Sequence, residues 1–260
     1  MLLLLPVLIA ASNPAPSPRS GAEVIRAAHR MYRGKCFRTA HYVQRTLLSL
    51  EQRLETWYVT VKQPGLMRVD VAPGITGRAF IYRNDSTYEF GRGQLRGQSQ
   101  GILPLYTLLR DLRCGPPDQV IAALQRYGFD LSKVHETTWD HQPILVVGAL
   151  AGDSTSNQFW LQKSHYLLVR LIENNGSDPR RPLDARIGAY RQAGGDWLEQ
   201  SVRLYLGGVL TTAEDYTDIV INPALESDVF EPLPYHLPKW VGAAPDRFGR
   251  VPNAIPRPPP

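Results

Sequence analysis

Short runs of alternating apolar and polar residues, separated by tight turns, fill this chain between Cys36 and Ile221. Turn-forming sequences such as Gln63-Pro64-Gly65 and Gly207-Gly208 join neighbouring runs, which is typical of an antiparallel meander. A meander of this length has to curl in order to bury its apolar face. The predicted strands are His41 to Ser49, Leu54 to Lys62, Leu66 to Val71, Arg78 to Arg83, Ser86 to Phe90, Lys133 to Trp139, Pro143 to Gly148, Gln158 to Gln162, Tyr166 to Glu173, Ala185 to Arg191, Trp197 to Leu206 and Val209 to Ile219.

Three segments have helical periodicity instead. Ser20 to Gly34 begins with a capping sequence and ends at a glycine, while Gly101 to Leu112 and Pro117 to Tyr127 place apolar residues three or four positions apart. Helices inserted within a meander cannot extend its sheet, so we expect them to lie across one face. The predicted fold class is mainly β (α+β): a strongly curved antiparallel half-barrel of about ten to twelve strands with a short N-terminal helix and two covering helices.

The two ends of the chain differ in composition from the middle. Met1 to Ser12 is an apolar run of signal-peptide length, and the proline-rich segment that follows argues against the alternative of an N-terminal core element. Prolines crowd the sequence again after Phe230. We predict a signal peptide and linker over residues 1–19, a half-barrel domain over 20–231, and an extended tail over 232–260. The mature chain is expected in the periplasm or another extracytoplasmic compartment, without a transmembrane segment.

The charge pattern excludes one class of partner. The net charge is +5, but the 29 lysines and arginines are scattered and form no block of like charge. Nucleic-acid-binding proteins concentrate their basic residues on one stripe or patch. We therefore expect no nucleic-acid partner.

The chain has two cysteines, Cys36 and Cys114. In an oxidising compartment they could form a disulfide that closes a long loop. The alternative is two free buried thiols, and the sequence leaves both open.

No catalytic or metal-binding motif is recognisable. The six histidines lack the close spacing of a metal site, and no Gly-x-Ser-x-Gly sequence marks a serine hydrolase. We expect a non-enzymatic protein that requires no cofactor and no metal. A hydrolase with carboxylates from distant strands is a less favoured alternative.

Alternation within the early strands predicts which side chains share a face. One face of the predicted sheet carries large apolar side chains, and the covering helices would meet them from the other side. A strongly bent sheet encloses more apolar volume than two short helices readily fill, which favours a ligand cavity over a filled core. The predicted cavity lining is Trp57, Val59, Met67, Val69, Tyr88, Phe90, Leu105, Leu109 and Leu124.

Several segments between about Ala22 and Phe230 carry a resemblance to a known family: the helix Ala22 to Arg33, the strand His41 to Leu48, the hairpin Gln63 to Asp70, the pair of runs in Ile81 to Phe90, Phe159 to Leu161 with Leu167 to Leu171, and Tyr216 to Ile219. In these segments the chain resembles the periplasmic lipoprotein-sorting proteins of the LolA/LolB-like superfamily. The resemblance implies an incomplete antiparallel barrel, covered by helices, around a hydrophobic cavity. Its motifs indicate the superfamily rather than one member, and no ligand-gating residue can be carried over.

This resemblance implies a carrier or binder of lipoprotein acyl chains or other hydrophobic ligands. Each methylene group removed from water contributes about 0.8 kcal/mol, so a lipid chain needs an apolar shelter to cross an aqueous compartment. The expected partners are a lipid or acylated lipoprotein cargo and envelope proteins. The alternative is a filled-core module of the same fold that acts in envelope assembly or regulation.

Overall fold

The computed structural model describes residues 18–243 except 102, 175, 177 and 179. Its main feature is one antiparallel sheet of 13 strands. The strands are β1 (Thr39–Leu48), β2 (Arg53–Lys62), β3 (Leu66–Val71), β4 (Ala79–Arg83), β5 (Ser86–Gly91), β6 (Gln94–Gln100), β7 (Val134–Trp139), β8 (Gln142–Val147), β9 (Gln158–Gln162), β10 (Leu168–Glu173), β11 (Leu183–Ala193), β12 (Asp196–Leu206) and β13 (Val209–Ile221).

The sheet consists of two meanders that meet at its centre. Its strand order is β6-β5-β4-β3-β2-β1-β13-β12-β11-β10-β9-β8-β7, so the first and last strands are neighbours and β6 and β7 form the edges. This open sheet confirms the predicted half-barrel. The strand that the sequence did not predict is β6, in which every residue is exposed and no apolar alternation exists.

Helical segments lie between the strands and at both ends. The helix α1 starts where predicted, since the Ser20 side chain accepts a hydrogen bond from the Glu23 amide at 3.2 Å. The segment between β6 and β7 provides the remaining cover, with a π-helical turn in its middle. The helices are α1 (Gly21–Tyr32), α2 (Pro104–Tyr106), the π-helical turn (Thr107–Asp111), α3 (Leu112–Cys114), α4 (Pro117–Arg126) and α5 (Lys239–Ala243), with 3-10 turns at Ser49–Glu51 and Gly74–Thr76.

The core lies between the sheet and these helices. We call the side of the sheet that carries Val59 and Val69 the inner face. The apolar stripe of α1, including Val24 and Ile25, packs into the same cluster as Leu112 of α3 and these strand residues. Helices on one face of a curved antiparallel sheet therefore bury the inner-face residues of β2 and β3.

The opposite, outer face is also covered in part. Residues 229–243, which we call the C-terminal strap, pack over β1 to β5. Trp240 stacks on His41 with ring centroids 4.4 Å apart, and its indole N–H donates to Thr60 Oγ1 at 2.9 Å. Residues 232–243 were assigned to the extended tail by composition, yet the structure packs them on the sheet. The predicted division into domains otherwise stays a prediction, and residues 1–17 and 244–260 lie outside the described residues.

A buried ion pair anchors the strap. Arg68 and Asp70 lie on the outer face with fully buried side chains, and the Arg68 Nε and Nη2 atoms each donate to Asp70 at 2.9 Å. The same guanidinium donates to the carbonyls of Val229 at 3.0 Å and His236 at 2.5 Å. The Arg68 guanidinium thus provides the donors for two strap carbonyls.

Candidate functional site

The strand residues of the predicted cavity lie in two different places. Cross-strand pairing of Val59 with Val69, and of Val61 with Met67, puts these side chains on the inner face. Trp57 lies on the same face, because it is two residues from Val59 and pairs with Val71, two residues from Val69. Leu109 and Leu124 meet them from the cover, and Leu105 packs against the same cluster. The structure therefore brings seven of the nine predicted residues together: Trp57, Val59, Met67, Val69, Leu105, Leu109 and Leu124.

Tyr88 and Phe90 are on the outer face, and this part of the prediction was wrong. Phe90 pairs with Ala79, which itself pairs with the outer-face residue Asp70. Phe90 and Tyr88 pack with Tyr235 of the strap, whose ring centroid is 5.1 Å from that of Phe90. Aromatic residues point outward here because the strap removes the outer face from water.

The inner cluster is densely filled where the prediction placed a cavity. The exposed fractions are 1% for Val59, 4% for Val69, 5% for Leu109 and 0% for Leu124. Side chains at such low exposure contact other side chains over nearly their whole surface. An apolar ligand would have to occupy the margin of this core or displace part of it.

An open groove of about 680 Å³ lies at that margin. We call it the cover groove. Its walls are the β2–β3 and β4–β5 turns on one side and α4, as far as its last residue Arg126, on the other. The lining residues are Pro64, Gly65, Leu66, Asn84, Asp85, Thr107, Asp111, Pro116, Gln119, Val120, Ala122, Ala123 and Arg126.

Two polar features mark the floor and the mouth of the cover groove. Asp111 accepts a hydrogen bond from the Gly65 amide at 3.0 Å, and burial raises the pKa of its carboxyl to about 6. At the mouth, Arg126 of α4 pairs with Asp85 of the β4–β5 turn at 2.8 Å. A buried carboxyl beside an apolar wall suits an amphiphilic ligand better than a purely apolar one.

Buried ion pairs attach the cover to the sheet. Arg110, in the π-helical turn, donates two hydrogen bonds to the Glu199 carboxylate and one to the Tyr42 hydroxyl at 3.1 Å. Arg113 bonds Asp196 and the Trp197 carbonyl, each at 2.9 Å. These contacts hold α3 and the π-helical turn against β12.

A further carboxyl lies beside the Arg110 pair. Glu214 accepts a hydrogen bond from the Tyr216 hydroxyl at 2.9 Å, and burial raises the pKa of Glu214 to about 7. Tyr216 in turn stacks on Tyr42, with ring centroids 4.8 Å apart. Glu199 therefore bonds the Arg110 guanidinium, whereas Glu214 bonds the Tyr216 hydroxyl.

The structure joins Cys36 and Cys114 by a disulfide with a Cα–Cα distance of 6.0 Å. It links the segment after α1 to the end of α3, beside the buried Asp196. The sulfur atoms and a carboxylate oxygen of Asp196 lie within 4.8 Å of one another. Metal-binding cysteines are thiolates, so the bonded pair does not provide a metal site.

No family model matches the sequence, and no curated protein is similar to it. Among solved structures, an outer-membrane lipoprotein-sorting protein domain from Vibrio parahaemolyticus aligns with a TM-score of 0.55 and 14% identity, over 81% of this chain and 96% of that one. The chain has the same fold as this domain. A DUF1329 family protein from Desulfovibrio piger gives a TM-score of 0.53 and 14% identity, over 81% and 95%.

A LolA superfamily protein from Nitrosomonas europaea aligns more distantly, with a TM-score of 0.49 and 12% identity over 81% of this chain and 97% of that one. At 14% identity, the likeness to the Vibrio and Desulfovibrio structures concerns the fold. None of the helices in the described part of the chain is long and apolar enough to cross a membrane.

Proposed function

We propose that this protein is an extracytoplasmic, non-enzymatic carrier or binder of acyl chains, with the cover groove as its site. The fold supports the proposal, because the Vibrio domain that shares it is described as lipoprotein-sorting. The observation that carries it is the groove itself, since about 680 Å³ falls in the usual size range of ligand pockets. The cargo would be a lipid or an acylated lipoprotein.

The groove margins support entry of a long chain. The Arg126 and Asp85 side chains are 62% and 40% exposed, so their ion pair contributes at most about 1 kcal/mol and opens easily. Leu66 and Val120 provide apolar wall, and the Asp111 carboxyl lines the same groove. When protonated, this carboxyl donates a hydrogen bond to an ester or carboxyl oxygen.

Titration with a fluorescent fatty-acid analogue tests this site. Ala123→Trp places a large ring in the groove and is expected to weaken binding at least about tenfold, the effect of 1.4 kcal/mol. Gln125→Trp adds the same ring to an exposed position on the same helix and is the matched control. Equal binding by Ala123→Trp, Gln125→Trp and the unmodified protein, all folded by circular dichroism, contradicts the groove as the site.

One observation favours a second function, a filled-core module for envelope assembly or regulation. The predicted cavity residues Val59, Val69 and Leu124 are almost completely buried in the core. Solvent extraction and mass spectrometry of protein purified from its own host distinguish the two. Co-purifying lipid supports the carrier, whereas absence of lipid together with no binding of the fatty-acid analogue supports the module.

The compartment is part of the proposal. The N-terminal apolar run lies outside the described residues, and its role as a signal peptide remains an inference from sequence. Mass spectrometry of the host protein is expected to find a new N-terminus near Asn13. An intact Met1 on protein recovered from the cytoplasm contradicts an extracytoplasmic carrier.

A further inference from the structure

A strip of exposed basic side chains crosses one end of the sheet. They come from the last turn of α1, from the connection between α1 and β1, and from the last residue of β2. We call this strip the cationic rim. Its members are Arg30, Arg33, Lys35, Arg38 and Lys62, and all five are exposed.

Contacts along the connection between α1 and β1 fix the course of the rim. The helix ends at the β9–β10 turn, where the Tyr32 hydroxyl donates to a backbone carbonyl at 2.9 Å. A Cβ atom added to Gly195 would lie only 2.8 Å from the Lys35 Cβ, so the connection passes directly over the β11–β12 turn. The Arg38 carbonyl then accepts a hydrogen bond from the Gln63 amide at 2.9 Å. The rim therefore runs along the end of the sheet as far as the β2–β3 turn.

The rim lacks carboxylates of its own. Between Glu23 and Glu51 the sequence contains no aspartate and no glutamate. Within the part of the chain that the structure describes, no rim side chain has a carboxylate oxygen within ion-pair distance, whereas Arg26, one turn before Arg30 on the same stripe of α1, pairs with Asp118 of α4 at 2.6 Å. The rim charges are therefore available to an anionic partner.

The shape of the rim favours an extended partner over a small anion. Its charges follow a line across several strands, so a single phosphate or carboxylate would meet only one or two of them. Met31, between the basic residues of the helix end, is 37% exposed and adds an apolar side chain to the strip. Clusters of about four to eight arginines and lysines on or beside an amphipathic helix are typical of binding to anionic lipid, and the apolar stems of these side chains suit the headgroup region.

We propose that the cationic rim docks this protein on the surface of an anionic lipid bilayer. Lys62 directly precedes the β2–β3 turn, and Pro64 and Gly65 of that turn line the cover groove. Docking through the rim would therefore place one wall of the groove beside the bilayer. The inference does not depend on acyl-chain binding, because the charges of the rim carry it.

Co-sedimentation of the full-length mature protein with vesicles measures docking. The protein is expected to bind vesicles of equal parts phosphatidylglycerol and phosphatidylcholine, and not vesicles of phosphatidylcholine alone. Raising the salt concentration from about 0.1 M to about 1 M shortens the screening length from about 10 Å to about 3 Å and should release it. Arg33→Gln, Lys35→Gln and Arg38→Gln together should weaken binding about a hundredfold, since each cation at such a surface contributes about 1 kcal/mol, a factor of about five.

Arg45→Gln, Arg92→Gln and Arg181→Gln together are the matched control, because they remove the same charge from exposed positions outside the rim and should leave vesicle binding unchanged. Ala123→Trp should also bind vesicles normally, which separates the rim from the cover groove. Absence of binding to the phosphatidylglycerol vesicles, or equal losses in the two triple variants, overturns the proposal. So does binding of soluble polyglutamate that is as tight as vesicle binding and is lost in the rim variant, since it would assign the rim to an acidic protein.

Discussion

Replacing Arg68 by Met tests whether the outer-face ion pair holds the C-terminal strap. The substitution keeps an unbranched side chain but removes four hydrogen bonds, two to Asp70 and one each to the carbonyls of Val229 and His236. Asp70 then remains as a buried carboxylate without its cation. Losing one partner of a buried pair costs about 3–5 kcal/mol, a large part of the usual 5–15 kcal/mol of a folded domain.

Urea denaturation followed by tryptophan emission gives the free energy of unfolding, and limited proteolysis between residues 229 and 243 reports release of the strap. Asp70→Leu is expected to cost a similar amount, because it leaves the Arg68 charge unpaired. The protein with both substitutions has no unpaired charge in this layer, so its loss should be smaller than the sum by about 1–3 kcal/mol. Arg45→Met, on an exposed side chain of β1, should change stability by no more than about 0.5 kcal/mol.

Two results would refute this reasoning. One is a loss below about 1 kcal/mol in Arg68→Met, which is the range of a surface substitution. The other is strict additivity of the Arg68 and Asp70 substitutions, since independent residues do not share a coupling energy.

Three further predictions concern other groups. Burial raises the folded-state pKa of Glu214 to about 7, above about 4.3 in the unfolded chain, so the free energy of unfolding should increase as pH falls from about 8 to about 5. The raised pKa values of Glu173 and Asp111 act in the same direction, so Glu214→Gln should weaken that dependence in urea melts without abolishing it. Cys36→Ser with Cys114→Ser should cost about 4–5 kcal/mol, since the disulfide closes a loop with a sequence separation of 78; denaturation of the oxidised protein and of this variant measures it. Phe90→Glu should expose the strap to protease yet leave fatty-acid affinity unchanged in a direct titration, because Phe90 lies on the outer face.

Local patterns predicted the elements whose two faces have different environments. In β2 and β3, residues such as Val59 and Val69 alternate with polar or charged ones, so strand, face and partner all followed from sequence. Ser20 predicted the start of α1 because its capping hydrogen bond joins residues only three positions apart in the chain. The edge strand β6 has no buried face and therefore no such pattern.

Features that depend on distant residues could not be predicted in this way. β4 is apolar on both faces, because Ile81 packs under the strap and Phe80 packs against the inner core. The sequence pattern therefore did not determine whether Tyr88 and Phe90 of the neighbouring β5 lie on the inner or the outer face. Arg110 and Glu199 are 89 positions apart, and neither looks unusual in its own neighbourhood. The cover groove also depends on turns and a helix that meet only in three dimensions.

The pairing of β1 with β13 has a consequence for the order of assembly. A chain that emerges with its N-terminus first can form each hairpin as it appears, yet β1 keeps one unpaired edge until residues 209–221 arrive. Contacts of such large sequence separation form slowly, because a long loop has to close before they are made. The central seam of the sheet is therefore the last to join, and loss of β13 would leave β1 and β12 as two open edges that could pair with strands of another chain.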